Sequence, residues 1–135
     1  MAAGPGEETF GCERCWPSSV EAAVVAKGEL VIEERLIDES HFDAAIRACS
    51  VCGQRFVSIF TETIDWEKGE DPQYWILMPL TNDEARALVE NQDTLSEATL
   101  NALPSTRRSL QSDYPKGAPR PHPFWGRGVW VGPHD

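Results

Sequence analysis

The sequence predicts an α+β fold: an antiparallel sheet of three to four strands, short C-terminal helices packed on it, and an extended proline-rich tail. Three observations point there. Residues 55–66 follow the two-residue period of a strand and are succeeded, after a turn, by the apolar run 74–80. From Thr81 the chain changes to the chemistry of helix starts. Beyond Tyr114 it carries five of its ten prolines, too many for a regular helix. The expected division is a disordered N-terminus over 1–9, one domain over 10–113 and a tail over 114–135 lying back on that domain. With 135 residues, 41% of them hydrophobic and 25% charged, the chain is long and apolar enough for one buried core.

Residues 1–9 are small, polar and glycine-rich, the composition of a frayed end. Phe10 and Trp16 flank the first cysteine pair and are expected to pack beside it. Residues 20–27 are uniformly apolar and short, and their valines with the Lys27-Gly28 turn predict a strand. Residues 30–37 read as an antiparallel strand with a wet face carrying Glu33, Glu34 and Arg35. After the polar break at Asp38-Glu39-Ser40-His41, residues 42–48 return as its partner strand. In residues 55–66 both faces are apolar at the start, which places the strand's beginning centrally and its end near an edge. Lys68-Gly69-Glu70-Asp71-Pro72 is a turn by composition. Pro79 then puts the end of the 74–80 strand at an edge or at the exit from the sheet.

Thr81-Asn82-Asp83-Glu84 fits a capping box, and Ala85, Leu88 and Val89 line one face of the helix predicted over 82–91. Thr94-Leu95-Ser96-Glu97 repeats the pattern for a second short helix. Pro104 suits the first position of a third, which would carry Arg107, Arg108 and Leu110. In the tail, 116–123 favours polyproline II, while Phe124, Trp125, Val129 and Trp130 are too apolar for a free end.

All four cysteines fall in two C-x-x-C units, Cys12-Glu13-Arg14-Cys15 and Cys49-Ser50-Val51-Cys52. A two-residue gap lets both sulfurs of a pair turn toward one point, and two such pairs supply four thiolates at tetrahedral corners, the ligand set of structural Zn2+. Gly53 supplies the positive φ often needed after such a turn. The 33 residues between the pairs exceed the compact spacing and imply a further hairpin or helix there. Over residues 10–66 the chain resembles a zinc ribbon, in which β-strands bring two cysteine knuckles together. By ligand type iron is equally accepted, and reduced thiols or two disulfides are the bland alternatives. His41 reads as a turn histidine, since four cysteines already complete a tetrahedron.

The formal net charge is −10. Residues 1–103 hold 20 acidic and 7 basic side chains, whereas 104–135 hold 2 and 5. Such a body repels phosphate backbones, so a protein partner with a basic surface is expected and nucleic acid is not. No run of 18 apolar residues is present, so no membrane partner is expected, and the N-terminus lacks the regions of a signal peptide. The expected location is the cytoplasm, where paired cysteines more often hold metal than form disulfides.

No catalytic constellation is visible: there is no phosphate-cradling loop, no H-E-x-x-H and no G-x-S-x-G. The acidic stretch Asp65, Glu67, Glu70 and Asp71 reads as a solvated loop. The expectation is a non-enzymatic zinc protein with an adaptor-like or inhibitor-like role. Two other classes stand beside it. One is a rubredoxin-like or dithiol redox protein. The other is a nucleic-acid-binding ribbon using Arg107, Arg108, Arg120 and Arg127.

Overall fold

A computed structural model describes residues 9–134. It corrects the predicted layout. The sheet has six strands rather than three to four, all antiparallel and in simple sequence order. They are β1 (Val31–Glu39), β2 (Phe42–Ala48), β3 (Arg55–Glu62), β4 (Gln73–Leu80), β5 (Arg108–Tyr114) and β6 (His122–Arg127). Three α-helices accompany them: α1 (Val20–Glu29), α2 (Asn82–Glu90) and α3 (Glu97–Asn101).

The strand predicted over 20–27 is helix α1. Ser19 caps it, its Oγ accepting from the Ala22 amide at 3.2 Å. Glu21 in the first turn and Lys27 in the last suit the helix dipole. Three alanines outweigh the strand preference of the valines, and Ala23 and Ala26 pack inward while Val25 stays exposed. The β1–β2 hairpin follows, so the long spacer between the cysteine pairs holds both a helix and a hairpin.

The third helix predicted around Arg107–Leu110 is strand β5, and the tail expected as an extended arm contains strand β6. Hydrophobic patterning misses β5 because it buries Ser109, Gln111 and Ser112. These side chains are satisfied locally: Gln111 Nε2 donates to Ser109 Oγ at 3.0 Å, and the Tyr74 hydroxyl donates to Gln111 Oε1. Gly126 makes room on β6, since a Cβ there would meet Gln111 Nε2 at 2.6 Å. Pro123 is tolerated in β6 because the strand lies at the sheet edge. The opposite edge, β1, is largely exposed, rich in charge and interrupted by two register shifts, features that discourage pairing with another chain.

Each face of the sheet carries its own core. On the first, Leu36, Phe42, Ala44, Ile46, Val57, Ile59, Ile76, Met78 and Leu80 meet Ala85 and Leu88 of α2 and Leu100 of α3. The expected capping box forms at the start of α2, with Glu84 N to Thr81 Oγ1 at 3.1 Å and Thr81 N to Glu84 Oε1 at 2.8 Å. Arg107 braces this helix against the sheet, donating to both Glu84 carboxylate oxygens and to Pro79 O. Beyond β6 the chain folds back on the same face: Val129 is buried, the Trp130 ring lies 4.7 Å from Tyr74, and Val131 N donates to Asn101 Oδ1.

On the second face, Phe56, Leu77 and Leu110 of the sheet meet Ala23 of α1 together with Cys15 and Cys49. Cys15 and Cys49 therefore belong to one of the protein's two cores.

Candidate metal centre

Cys12 and Cys15 lie in the turn before α1, and Cys49 and Cys52 lie in the hairpin loop between β2 and β3. Local backbone bonds shape each turn: Trp16 N donates to Cys12 O and Gly53 N to Cys49 O, both at 2.9 Å. Gly53 has the expected positive φ, 81°. Gly11 has a stricter requirement. Its φ is 67°, and a Cβ there would stand 2.7 Å from Cys15 Sγ.

Gln54 joins the two turns. Its Oε1 accepts from the Gly11 amide at 2.9 Å, and its Nε2 donates to Arg55 O and Leu80 O at 2.8 Å each. Sequence reasoning did not single out Gln54 or Gly11. The available signal was position: one residue precedes the first cysteine, and the other follows the glycine of the second turn.

The structure brings all four predicted cysteines together, with every sulfur within 4.8 Å of the others. Three separations are 3.8 Å (Cys12–Cys15), 4.0 Å (Cys12–Cys49) and 3.7 Å (Cys15–Cys52). Four sulfurs around a tetrahedral ion with Zn–S bonds of about 2.3 Å would stand about 3.8 Å apart. The donor set thus fits a tetrahedral metal ion, and none of the four thiols is engaged in a disulfide.

Burial is graded. Cys15 and Cys49 are buried, Cys12 is partly covered, and Cys52 is exposed. The amide of Cys15 pulls the Cys12 thiol down to about 7, while burial pushes the Cys15 thiol up. Burial opposes ionisation of Cys49, but the amides of Cys52 and Val51 prevail and lower it. Burial raises Cys52. Amide donors directed at sulfur, such as Val51 N to Cys49 Sγ at 3.4 Å, also stabilise the negative charge that a thiolate ligand retains.

Trp16 ties the centre to the sheet. Its ring lies 5.4 Å from Phe56 and 5.1 Å edge-on from Trp125, and the Arg108 guanidinium sits 4.0 Å from the Trp125 centroid. Trp125 Nε1 donates to Ser18 O, fastening β6 to the segment between the first cysteines and α1. His41 lies apart in the β1–β2 turn, 3.3 Å from Glu62.

The fold and site define a six-stranded antiparallel meander bearing a four-cysteine metal-binding cluster at one end. No family model matches the chain, and comparison with curated proteins and with solved structures found no match. Among the described residues, no helix is long and apolar enough to cross a membrane.

Proposed function

We propose that this is a non-enzymatic zinc protein, with a structural ion held by Cys12, Cys15, Cys49 and Cys52, that acts by binding another protein as an adaptor or inhibitor. The observation carrying the metal reading is the convergence of four sulfurs at tetrahedral spacing, with Cys15 and Cys49 buried in a core and Cys12 and Cys52 at its margin. Four thiolates close the coordination shell, and a catalytic zinc needs an open position. The location that goes with this reading is the cytoplasm, a reducing compartment in which paired cysteines more often hold metal than form disulfides.

The interaction reading is supported by Trp66, 89% exposed in the β3–β4 loop. That loop is pre-shaped: Asp65 accepts from the amides of Glu67 and Glu70, Asp71 accepts from the Asp65 amide, and Lys116 pairs with Asp65. A tryptophan held out on an ordered acidic loop suits an apolar pocket with a basic rim on a partner.

Elemental analysis of the purified protein beside a Cys49→Ser/Cys52→Ser variant tests the metal. About one zinc per chain, absent from the variant, is expected for one closed site. Iron would move the reading to electron transfer, and a metal-free folded protein would sink it. For the interaction, a partner recovered with the wild type must be lost with Trp66→Ala; retention would remove Trp66 from the reading.

A further inference from the structure

The cysteine-bearing face also gathers cations that, among the described residues, form no ion pair with a carboxylate. Sheet register places Arg35 of β1 opposite Ala45, Ala45 opposite Ser58, and Arg47 of β2 opposite Phe56. Arg47 Nε donates to Ser58 Oγ at 2.9 Å. Lys27 reaches the same face from the last turn of α1, its Nζ standing 4.2 Å from the centroid of the Trp75 ring. Ser58 pairs with Leu77, two positions along β4 from Trp75. Both cationic heads therefore lie over the strip formed by β3 and β4.

Twenty-two acidic residues serve twelve basic ones in this chain. Arg55, Arg86, Arg107 and Lys116 each have a carboxylate within 4.0 Å. Among the described residues, no such ion pair forms at Lys27, Arg35 or Arg47, nor at Arg14, Lys68, Arg108, Arg120 or Arg127; what sets Lys27 and Arg47 apart is their partial burial side by side. Asp43, flanked by Asp38, offsets Arg35 at longer range. Lys27 and Arg47 thus remain as two neighbouring, partly desolvated like charges. Burial and the Arg47 charge together press the Lys27 ammonium down to about 8. Placing like charges together away from water costs free energy that a bound anion would offset.

We propose that Lys27 and Arg47 form a binding site for the phosphate group of a small phosphate monoester. A planar guanidinium and an ammonium offer donors suited to phosphate oxygens, and a dianion matches two cations where a carboxylate would leave one unanswered. Ser58 adds a hydroxyl: its oxygen already accepts from Arg47, which leaves its hydrogen free to donate to the ligand. Phe60 pairs with Trp75 one row further along and with Asp43 on its other side; both rings are only partly buried and give the ligand's organic part an apolar surface bounded by the Asp43 carboxylate. Size is limited by charge. Screening over about 8 Å at physiological salt confines the positive field to the site. A nucleic-acid strand running past it would meet Glu33, Glu34, Asp38 and Glu39 of β1.

The test is a calorimetric and NMR titration of the full-length protein in low-chloride buffer. The probes are inorganic phosphate, phosphoserine, AMP, sulfate and a single-stranded oligonucleotide. Phosphoserine or AMP is expected to bind saturably, more tightly than sulfate and the oligonucleotide, and to perturb Trp75 resonances. Lys27→Met and Arg47→Met should each weaken binding about tenfold or more, the loss of one charge-assisted contact. Arg47 lies close to Cys49, so metal content is measured in both variants; if Arg47→Met loses metal, Lys27→Met alone decides. The proposal is overturned by absence of saturable binding up to about 20 mM, weaker than any useful affinity. It is equally overturned by binding that survives Lys27→Met unchanged, or by an oligonucleotide that outcompetes the small phosphates.

Discussion

On one face of the sheet, Leu36, Ile46, Ile59, Met78 and Leu100 meet across a layer filled almost wholly by hydrocarbon. On the other, Cys15 and Cys49 pack with Trp16, Trp125 and Leu110 beside the cations Lys27 and Arg108. The first face draws its stability from apolar area, a non-directional effect that tolerates many sequences. The second has a smaller apolar core and brings together groups that repel one another unless something neutralises them: four sulfurs at one end and two cations along the strip. The groups that a metal or an anion would neutralise are therefore concentrated on one side of a single sheet.

The largest expected effect comes from emptying the cysteine cluster. Chelation, or the double Cys49→Ser/Cys52→Ser change, should cost several kcal/mol, given apparent zinc-binding free energies of about 10–16 kcal/mol in zinc-finger peptides. Amide exchange should rise first around α1, Trp16 and the β2–β3 loop; a uniform rise over both faces would erase the distinction between them. Next, Leu100→Ala on the opposite face, where the side chain is fully buried, should cost about 2–5 kcal/mol while metal content stays the same. Loss of metal in that variant would show that the two cores are one unit.

A smaller effect is expected at Glu84. Burial alone would raise its carboxyl, but Arg107 and the Thr81 amide outweigh burial and hold it below the ordinary range. The pair's contribution is therefore present above the unfolded pKa of about 4.3 and is lost as pH falls through the lower folded value. Glu84→Gln should remove about 1–3 kcal/mol at neutral pH and flatten the acid limb of a denaturation series. An unchanged acid limb would mean that other carboxylates control it.

The smallest effect runs the other way. Lys27 titrates near 8 in the folded chain against 10.5 as its ordinary value. The unfolded state therefore holds more protons between these limits, and stability should rise with pH across that window. Lys27→Met should raise stability at neutral pH by on the order of 1 kcal/mol and abolish the rise. A destabilised variant would show that Lys27's contact with Trp75 outweighs its desolvation.

What the chain reveals by itself is what local chemistry encodes. The C-x-x-C pairs place two sulfurs per turn whatever surrounds them, and Thr81-Asn82-Asp83-Glu84 closes its own capping box. Residues 42–48, 55–66 and 74–80 declare themselves as strands because their side chains fill a core, and the structure bounds the last two at Arg55–Glu62 and Gln73–Leu80. Elements whose conformation depends on distant partners were not legible. Strand β5 buries serine and glutamine, which is tolerable only because Tyr74 supplies a hydrogen bond and Gly126 supplies space.

Strand β6 sits among prolines because the sheet ends there, and α1 forms against a face that no local pattern describes. The sequence alone determined which residues can ligate a metal. Only the tertiary structure decided that four sulfurs share one point and that Lys27 and Arg47, twenty positions apart, share one strip. Both assemblies are made by strand register and helix docking, and these are set by contacts across the sheet rather than along the chain.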